Sequence, residues 1–183
     1  MHTDPETDVA IATSLGITDL QVGRHYLRDE DRARVGAIWL DTVWMLRVQP
    51  TFGQRVLLGV ATAHGEEFRG QSSSGWIKGF LASNYSFAIH DLESDPLPNV
   101  IARLPLLSKD GFGFRSRDGV CYQLRTKSME IESTIEFANP EIPELVSVVR
   151  TCWELAETIA RNSRDESLAA FTKTWERPID PRR

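Results

Sequence analysis

Asn139 to Arg161 read NPEIPELVSVVRTCWELAETIAR, and this stretch carries the clearest structural signal in the sequence. Its apolar residues recur every three or four positions, which predicts a helix with one buried face. Asn139 fits the N-cap and Pro140 the first helical position, where a missing N–H costs nothing. A helix with so continuous an apolar stripe must cover another layer, and the residues before it read as a sheet. The stripe consists of Ile142, Leu145, Val146, Val149, Cys152, Trp153, Ala156, Ile159 and Ala160.

The stripe continues beyond Arg161. Ser163 and Glu166 have capping-box spacing, and Leu168, Phe171 and Trp175 follow in helical phase. One long helix and a helix pair both fit this pattern. The predicted helical region ends before Pro178.

The residues between Asn99 and Phe137 alternate between apolar and polar side chains, which predicts an antiparallel meander. In the last of its strands, Met129, Ile131 and Phe137 are expected to face the helix. Asp118-Gly119 is a typical hairpin dipeptide and predicts that the strands before and after it pair. The expected strands are 99–106, 112–117, 120–125 and 129–137.

The first half of the chain is less clear. Residues 37–48 fit a helix or a strand, and a strand is favoured because a turn at Pro50 to Gly53 is followed by the apolar run Arg55 to Ala63. Both runs are apolar on both faces, which predicts central strands or a second covering layer. Tyr85 to Leu92 also reads as a strand. A short helix is predicted from Pro5 to Leu15, with Val9, Ala12 and Leu15 inward and Gly16 as its stop.

These patterns predict an α+β fold, with an antiparallel sheet of about five to seven strands packed by a long C-terminal helix or helix pair. The 183 residues suffice for one core and predict a single domain, 1–183, with loose termini at about 1–8 and 177–183. No apolar run approaches the roughly 20 residues that a membrane-spanning helix needs. We expect a cytoplasmic protein without a membrane partner.

Charge and cysteine content exclude further classes. The formal charge of −5 argues against general nucleic-acid binding, which requires a surplus of cations. Cys121 and Cys152 lie within apolar patterns, so we expect both to be reduced and buried.

A search for chemistry finds no catalytic constellation. The sequence contains no nucleotide-binding glycine motif, no GxSxG and no HExxH, and no cofactor is expected. The histidines are far apart, so no metal site is expected. His64 and His90 each have carboxylates nearby in sequence and would form a cluster only if their two segments paired.

The outer face of the predicted meander is the candidate binding surface. Arginine side chains between carboxylates suit a solvated face with cross-strand ion pairs, or a docking face for another chain or an acidic ligand. A non-enzymatic interaction module is therefore our first hypothesis, with another protein or a second copy in a homodimer as partner. The candidates are Arg103, Arg115, Arg117, Arg125, Glu130 and Glu132.

A sheet gripping a long C-terminal helix resembles the layout of the START and Bet v 1-like proteins, and also that of small acidic secretion chaperones. The first resemblance implies a carrier or enzyme for a small apolar ligand held between sheet and helix. The same side chains would otherwise fill a dry core. The cavity candidates are Phe112, Phe114, Tyr122, Phe137 and Trp153.

Overall fold

The computed structural model describes residues 5–28, 34–50, 54–68, 70–83, 86–102 and 119–175. Four helices occur in these ranges: α1 (Pro5–Leu15), α2 (Pro98–Ile101), α3 (Pro143–Ser163) and α4 (Glu166–Thr174). The strands are β1 (Gly23–Arg28), β2 (Arg34–Pro50), β3 (Val56–Phe68), β4 (Gln71–Ser72), β5 (Trp76–Ser83), β6 (Phe87–Asp91), β7 (Val120–Ser128) and β8 (Glu132–Ala138).

One antiparallel sheet organises the described residues. Its strands lie in the order β6-β5-β3-β2-β7-β8, β1 pairs with the first part of β2, and the short β4 pairs with the end of β3. The first strands follow one another as a meander, and β7 then joins the second edge of β2. The predicted α+β class, the antiparallel sheet and the C-terminal helix pair are confirmed.

The strands expected at 37–48 and 55–63 are confirmed as β2 and β3, and both are buried on both faces. On one face, which we call the α3 face, Trp44 and Leu58 pack in a core with α3 and α4. On the other, the α1 face, Met45 and Ala61 pack with Ile11 of α1. This double cover explains the continuous apolar character of the two strands.

β2 contains a β-bulge at Asp41, where its register with β3 shifts. Leu40 is opposite Ala63 and Thr42 is opposite Thr62, so Asp41 is an additional residue without a partner of its own. The additional residue shifts by one position the alternation of β2 side chains between the two faces of the sheet. Leu40 before it and Val43 after it consequently lie in the same core on the α1 face.

The C-terminal helices begin and end at positions other than those predicted. α3 begins at Pro143, with Ile142 as its N-cap, so the predicted cap at Asn139 is wrong. Two prolines three residues apart both fit a first helical position, and the second is the one used. α3 ends where Arg164 adopts a left-handed conformation (φ 58°), and the side chain of Asp165 caps α4. The predicted capping box from Ser163 to Glu166 is therefore also wrong.

The second half of the chain departs from the expected four strands. Residues 98–101 form the short helix α2, so the strand expected at 99–106 is wrong where it is described. β7 pairs with β2 on one edge and with β8 on the other, so both of its edges are occupied by strands other than the expected hairpin partner. Residues 103–118, which include the strand expected at 112–117, lie outside the described residues.

The helix predicted near the N-terminus is confirmed as α1, and Gly16 follows it with a positive φ of 77°. Ala12 and Leu15 are buried, but Val9 is 57% exposed, so its predicted inward position is wrong. α1 includes part of the terminus expected to be loose, and residues 177–183 lie outside the described residues. None of the helices in the described ranges is long and apolar enough to cross a membrane.

Candidate functional site

The hairpin of β7 and β8 holds the part of the predicted binding surface that the structure describes. Arg125 lies in β7, Glu132 begins β8, and Glu130 lies in the turn between them. Arg103, Arg115 and Arg117 lie outside the described residues. The side chains of this hairpin on the α1 face, together with its turn, are called the hairpin surface. They are Gln123, Arg125, Lys127, Met129, Glu130, Ile131, Glu132, Thr134 and Glu136, of which Lys127 is buried.

Alternation along β7 places these polar side chains on the α1 face. Tyr122 and Leu124 point into the core beneath α3, while Arg125 is directly opposite Met45 of β2 and therefore shares its face. The helix α1 covers the centre of this face, where Met45 lies. The face of β7 and β8 beyond that centre carries polar side chains.

Arg125 and Glu132 form a diagonal ion pair across the hairpin. Arg125 is directly opposite Thr134, and its Nε donates to Glu132 Oε1 at 2.9 Å. The hydrogen bond from Arg125 lowers the pKa of the Glu132 carboxyl, and the nearby charge of Lys127 lowers it further. Their side chains are 22% and 53% exposed, so the pair is open to solvent on the carboxylate side.

Gln123 and Lys127 also face acidic residues across the hairpin. Gln123 Nε2 donates to Glu136 Oε1 at 2.7 Å, and Lys127, only 7% exposed, lies opposite Glu132. The hairpin thus contains cross-strand polar contacts of the kind expected on a solvated face. The same contacts fix the position of charges that a partner would meet.

The turn of the hairpin exposes two large apolar side chains. Met129 is 61% exposed and Ile131 is 62% exposed, so their predicted inward position is wrong. Ser128 N–H donates to Ile131 O at 2.8 Å, which closes a turn where the sequence pattern predicted a strand. Exposed apolar side chains that neighbour one another mark interaction sites more often than single ones do.

The helical layer explains why burial decreases along β8. Phe137 is 8% exposed beneath α3 and Ile135 is half-buried, whereas Ser133 and Ile131 are exposed. These side chains have the alternation expected of one apolar face. Among the described residues, the helices cover only the end of β8 that leads into α3, and the side chains at the other end are exposed.

A shallow depression lies beside the hairpin surface, between α1 and the sheet. It has room for about one water molecule. Its size suits a contact with a side chain more than the enclosure of a ligand. It is lined by Asp8, Met45, Arg47, Leu57, Gln123 and Arg125.

The described cavity candidates make contacts with other protein groups. The rings of Tyr122 and Phe137 stack with centroids 5.2 Å apart, and Trp153 Nε1 donates to the carbonyl of Trp175 at 2.8 Å. Burial raises the pKa of the Tyr122 phenol, and the nearby indole of Trp175 opposes that rise. Phe112 and Phe114 lie outside the described residues.

A second polar arrangement, which no local sequence pattern indicated, lies at the bulge of β2, next to Thr42, and Thr42 is opposite Ser128 at the turn end of β7. His64 Nδ1 lies 2.8 Å from Asp41 Oδ1, and the His64 ring stacks on Trp39 with centroids 6.3 Å apart. The bulge at Asp41 is what places its carboxylate beside His64. An aspartate and a histidine so placed are two members of a general-base arrangement, in which the carboxylate orients the ring. No local sequence signal indicates the bulge, because it depends on the pairing of β2 with β3.

The two segments that carry His64 and His90 do not pair with each other. β5 lies between β3, which carries His64, and β6, which carries His90, so the two histidines bind different partners. His90 Nε2 lies 2.9 Å from Asn162 Nδ2. Within the described ranges, no group of three or more His, Cys, Asp or Glu side chains could hold a metal ion.

Comparison with known proteins finds no matching family model, no matching curated protein and no matching solved structure. The hairpin surface and the Asp41–His64 pair must therefore be interpreted from their own chemistry.

Proposed function

We propose that this protein is a non-enzymatic interaction module that binds another protein through the hairpin surface. The observation that carries this proposal is the exposure of Met129 and Ile131, 61% and 62%, on one turn next to the Arg125–Glu132 pair. Apolar side chains beside arginine and acidic groups are the composition of a docking surface with an apolar centre and a polar rim.

The position of the turn supports the same function. Met129 and Ile131 lie at an end of the sheet that none of the described helices covers, and a partner can reach them without any rearrangement of α3. Exposing two such side chains to water carries a cost of about 1.5–3 kcal/mol each relative to full burial. A partner that covers them recovers part of that free energy.

Site-specific photo-crosslinking tests this function directly. A photo-reactive amino acid replaces Ile131 in one variant and Val9 in the other, and both proteins are expressed in the cells from which the gene derives. Val9 is a matched control because it is also a large apolar residue and is 57% exposed, but it lies on α1. We expect a discrete heavier adduct from position 131 and none from position 9, and mass spectrometry then identifies the crosslinked chain.

Two outcomes contradict the proposal. Position 131 could produce no adduct, or positions 131 and 9 could produce the same set of adducts, as nonspecific contact would. A second test places the photo-reactive amino acid at position 130. The double change Met129→Ser with Ile131→Ser should abolish the adducts formed from that position, whereas the control change Val9→Ser should leave them unchanged.

The alternative hypothesis, a carrier or enzyme for a small apolar ligand between sheet and helix, stays a prediction. Native mass spectrometry of the protein purified without added ligand tests it. A stoichiometric additional mass, lost when the protein is denatured, would support a carrier. The bare protein mass would favour the interaction module.

A further inference from the structure

The outer edge of β8 is a second feature of this hairpin that can bind a partner. β8 (Glu132–Ala138) pairs with β7 along one edge, and no other described strand pairs with it. It is longer than the other edge strands β1 and β6. A strand edge of this kind presents backbone donors and acceptors to an incoming chain.

The hydrogen-bond pattern shows which residues of β8 present backbone donors and acceptors at its outer edge. The bonds from Asn139 N to Val120 O and from Ser128 N to Ile131 O mark the two ends of the ladder between β7 and β8. In an antiparallel ladder such bonded positions recur every second residue, so 133, 135 and 137 also bond to β7. The backbone groups of Glu132, Thr134 and Glu136 therefore point away from β7, towards the outer edge of β8, which no described strand occupies. We call this the open edge.

The same three residues carry their side chains on the α1 face, and two of them are acidic. Arg125 and Lys127 both lie beside Glu132 and compensate its charge. The partner of Glu136 is instead Gln123, which is uncharged. Glu130 in the turn is exposed as well. The edge thus presents a row of acidic side chains whose charge is only partly compensated within the hairpin.

This charge pattern discriminates between partners. If two copies paired edge to edge about Thr134, Glu132 of each copy would lie opposite Glu136 of the other, and like charges directly opposite one another are destabilising. A strand with lysine or arginine at alternate positions would instead place a cation opposite each glutamate. The remaining alternate positions of that strand would lie beside Ile131 and Ile135, which suit apolar side chains.

We propose that β8 receives an extended segment of the partner protein by strand addition, and that this segment alternates basic with apolar residues. The inference rests on the proposed function and specifies its partner. Strand addition combines main-chain hydrogen bonds, which supply affinity, with alternate side-chain contacts, which supply specificity.

Binding of defined peptides to the full chain tests strand addition. The probe is a fluorescent peptide that repeats Lys-Val, its matched control repeats Glu-Val, and the measurement is fluorescence anisotropy at low salt. We expect saturable binding of the Lys-Val peptide and about tenfold or more weaker binding of the Glu-Val peptide. Equal affinities, or no binding of the Lys-Val peptide, would overturn the inference.

Two changes separate backbone pairing from charge attraction alone. Thr134→Pro removes an N–H that points to the open edge and leaves the bonds to β7 in place, whereas Thr134→Val retains it. We expect about tenfold weaker binding for the proline variant and unchanged binding for the valine variant. Because a proline variant can fail to fold, N-methylated Lys-Val peptides provide a second measurement on the unaltered protein. One peptide is methylated at every Lys amide and the other at every Val amide. Methylation should abolish binding in the peptide whose methylated amides would face β8 and leave it unchanged in the other. Equal effects of the two methylation patterns would reject strand addition.

The two proposals fail in different ways. Adducts at position 131 that are as strong in Thr134→Pro as in the wild type would reject strand addition and leave the interaction module standing. Absence of adducts at position 131 in the wild type would reject the interaction module itself, whatever the peptides do.

Discussion

The side-chain Oδ1 of Asn139 accepts a hydrogen bond from the backbone N–H of Val120 at 2.9 Å, and the Asn139 N–H donates to the Val120 carbonyl at 3.1 Å. The residue that the sequence assigns to a helix cap therefore closes the ladder between β7 and β8. Asn139 also has a positive φ of 43°, a conformation that asparagine tolerates better than most residues.

Replacing Asn139 should separate these two roles. Asn139→Ala loses the side-chain bond and also strains the backbone, so we expect a loss in the free energy of unfolding of about 1.5–3.5 kcal/mol. Asn139→Gly loses the bond but adopts positive φ freely, and should lose about 0.5–1.5 kcal/mol. Urea denaturation measures both, and an equal loss for the two variants would show that backbone strain does not contribute.

The two cysteines should differ sharply in reactivity. Cys121 is exposed, so the predicted burial of that residue is wrong, whereas Cys152 is fully buried and burial strongly raises the pKa of its thiol. Since the thiolate is the reactive form, we expect rapid modification of Cys121 by iodoacetamide and of Cys152 only in denaturant. Peptide mass mapping after native labelling checks this. The variant Cys121→Ser should show no rapid labelling.

The ion pair of the hairpin should be visible in a pH titration. The hydrogen bond from Arg125 lowers the pKa of Glu132 below its ordinary value of 4.5. Its contribution to stability is therefore present above the pKa of the unfolded chain and is lost as pH falls through the lower folded pKa. In a carboxyl-carbon NMR titration we expect the midpoint of Glu132 to rise in Arg125→Gln. An unchanged midpoint would mean that the pair does not persist in solution.

A steric test examines the centre of the sheet. A Cβ on Gly59 of β3 would lie within contact distance of both the Phe80 ring and the Trp44 carbonyl, whereas a Cβ on Gly36 of β2 would meet nothing nearer than 3.5 Å. We expect Gly59→Ala to cost about 1–3 kcal/mol or more, because a backbone carbonyl cannot move aside. Gly36→Ala is the matched control in the same sheet and should be nearly neutral. Thermal denaturation of both variants measures the difference.

Part of the candidate site could be predicted from local pattern. The alternation around Arg125 and Glu132 placed both on the outer face of a hairpin, and their pairing follows from that placement. The exposure of Met129 and Ile131 could not be predicted, because an alternating apolar pattern does not reveal where the covering helices stop. The Asp41–His64 contact was equally hidden, since the bulge arises only when β2 and β3 pair.

The sequence by itself determined the α+β class, the apolar character of residues 37–48 and 55–63, and the apolar face of the C-terminal helices. Each of these follows from the period of apolar residues along a single segment, which local geometry converts directly into a buried face. Only the tertiary structure decided that β2 and β3 are central, that β7 lies between β2 and β8, that α3 begins at Pro143 instead of Pro140, and that no described helix covers the turn end of β8. Those features depend on contacts between residues far apart in the chain. The free energy of such contacts depends on both segments that meet, so the pattern of one segment cannot predict it.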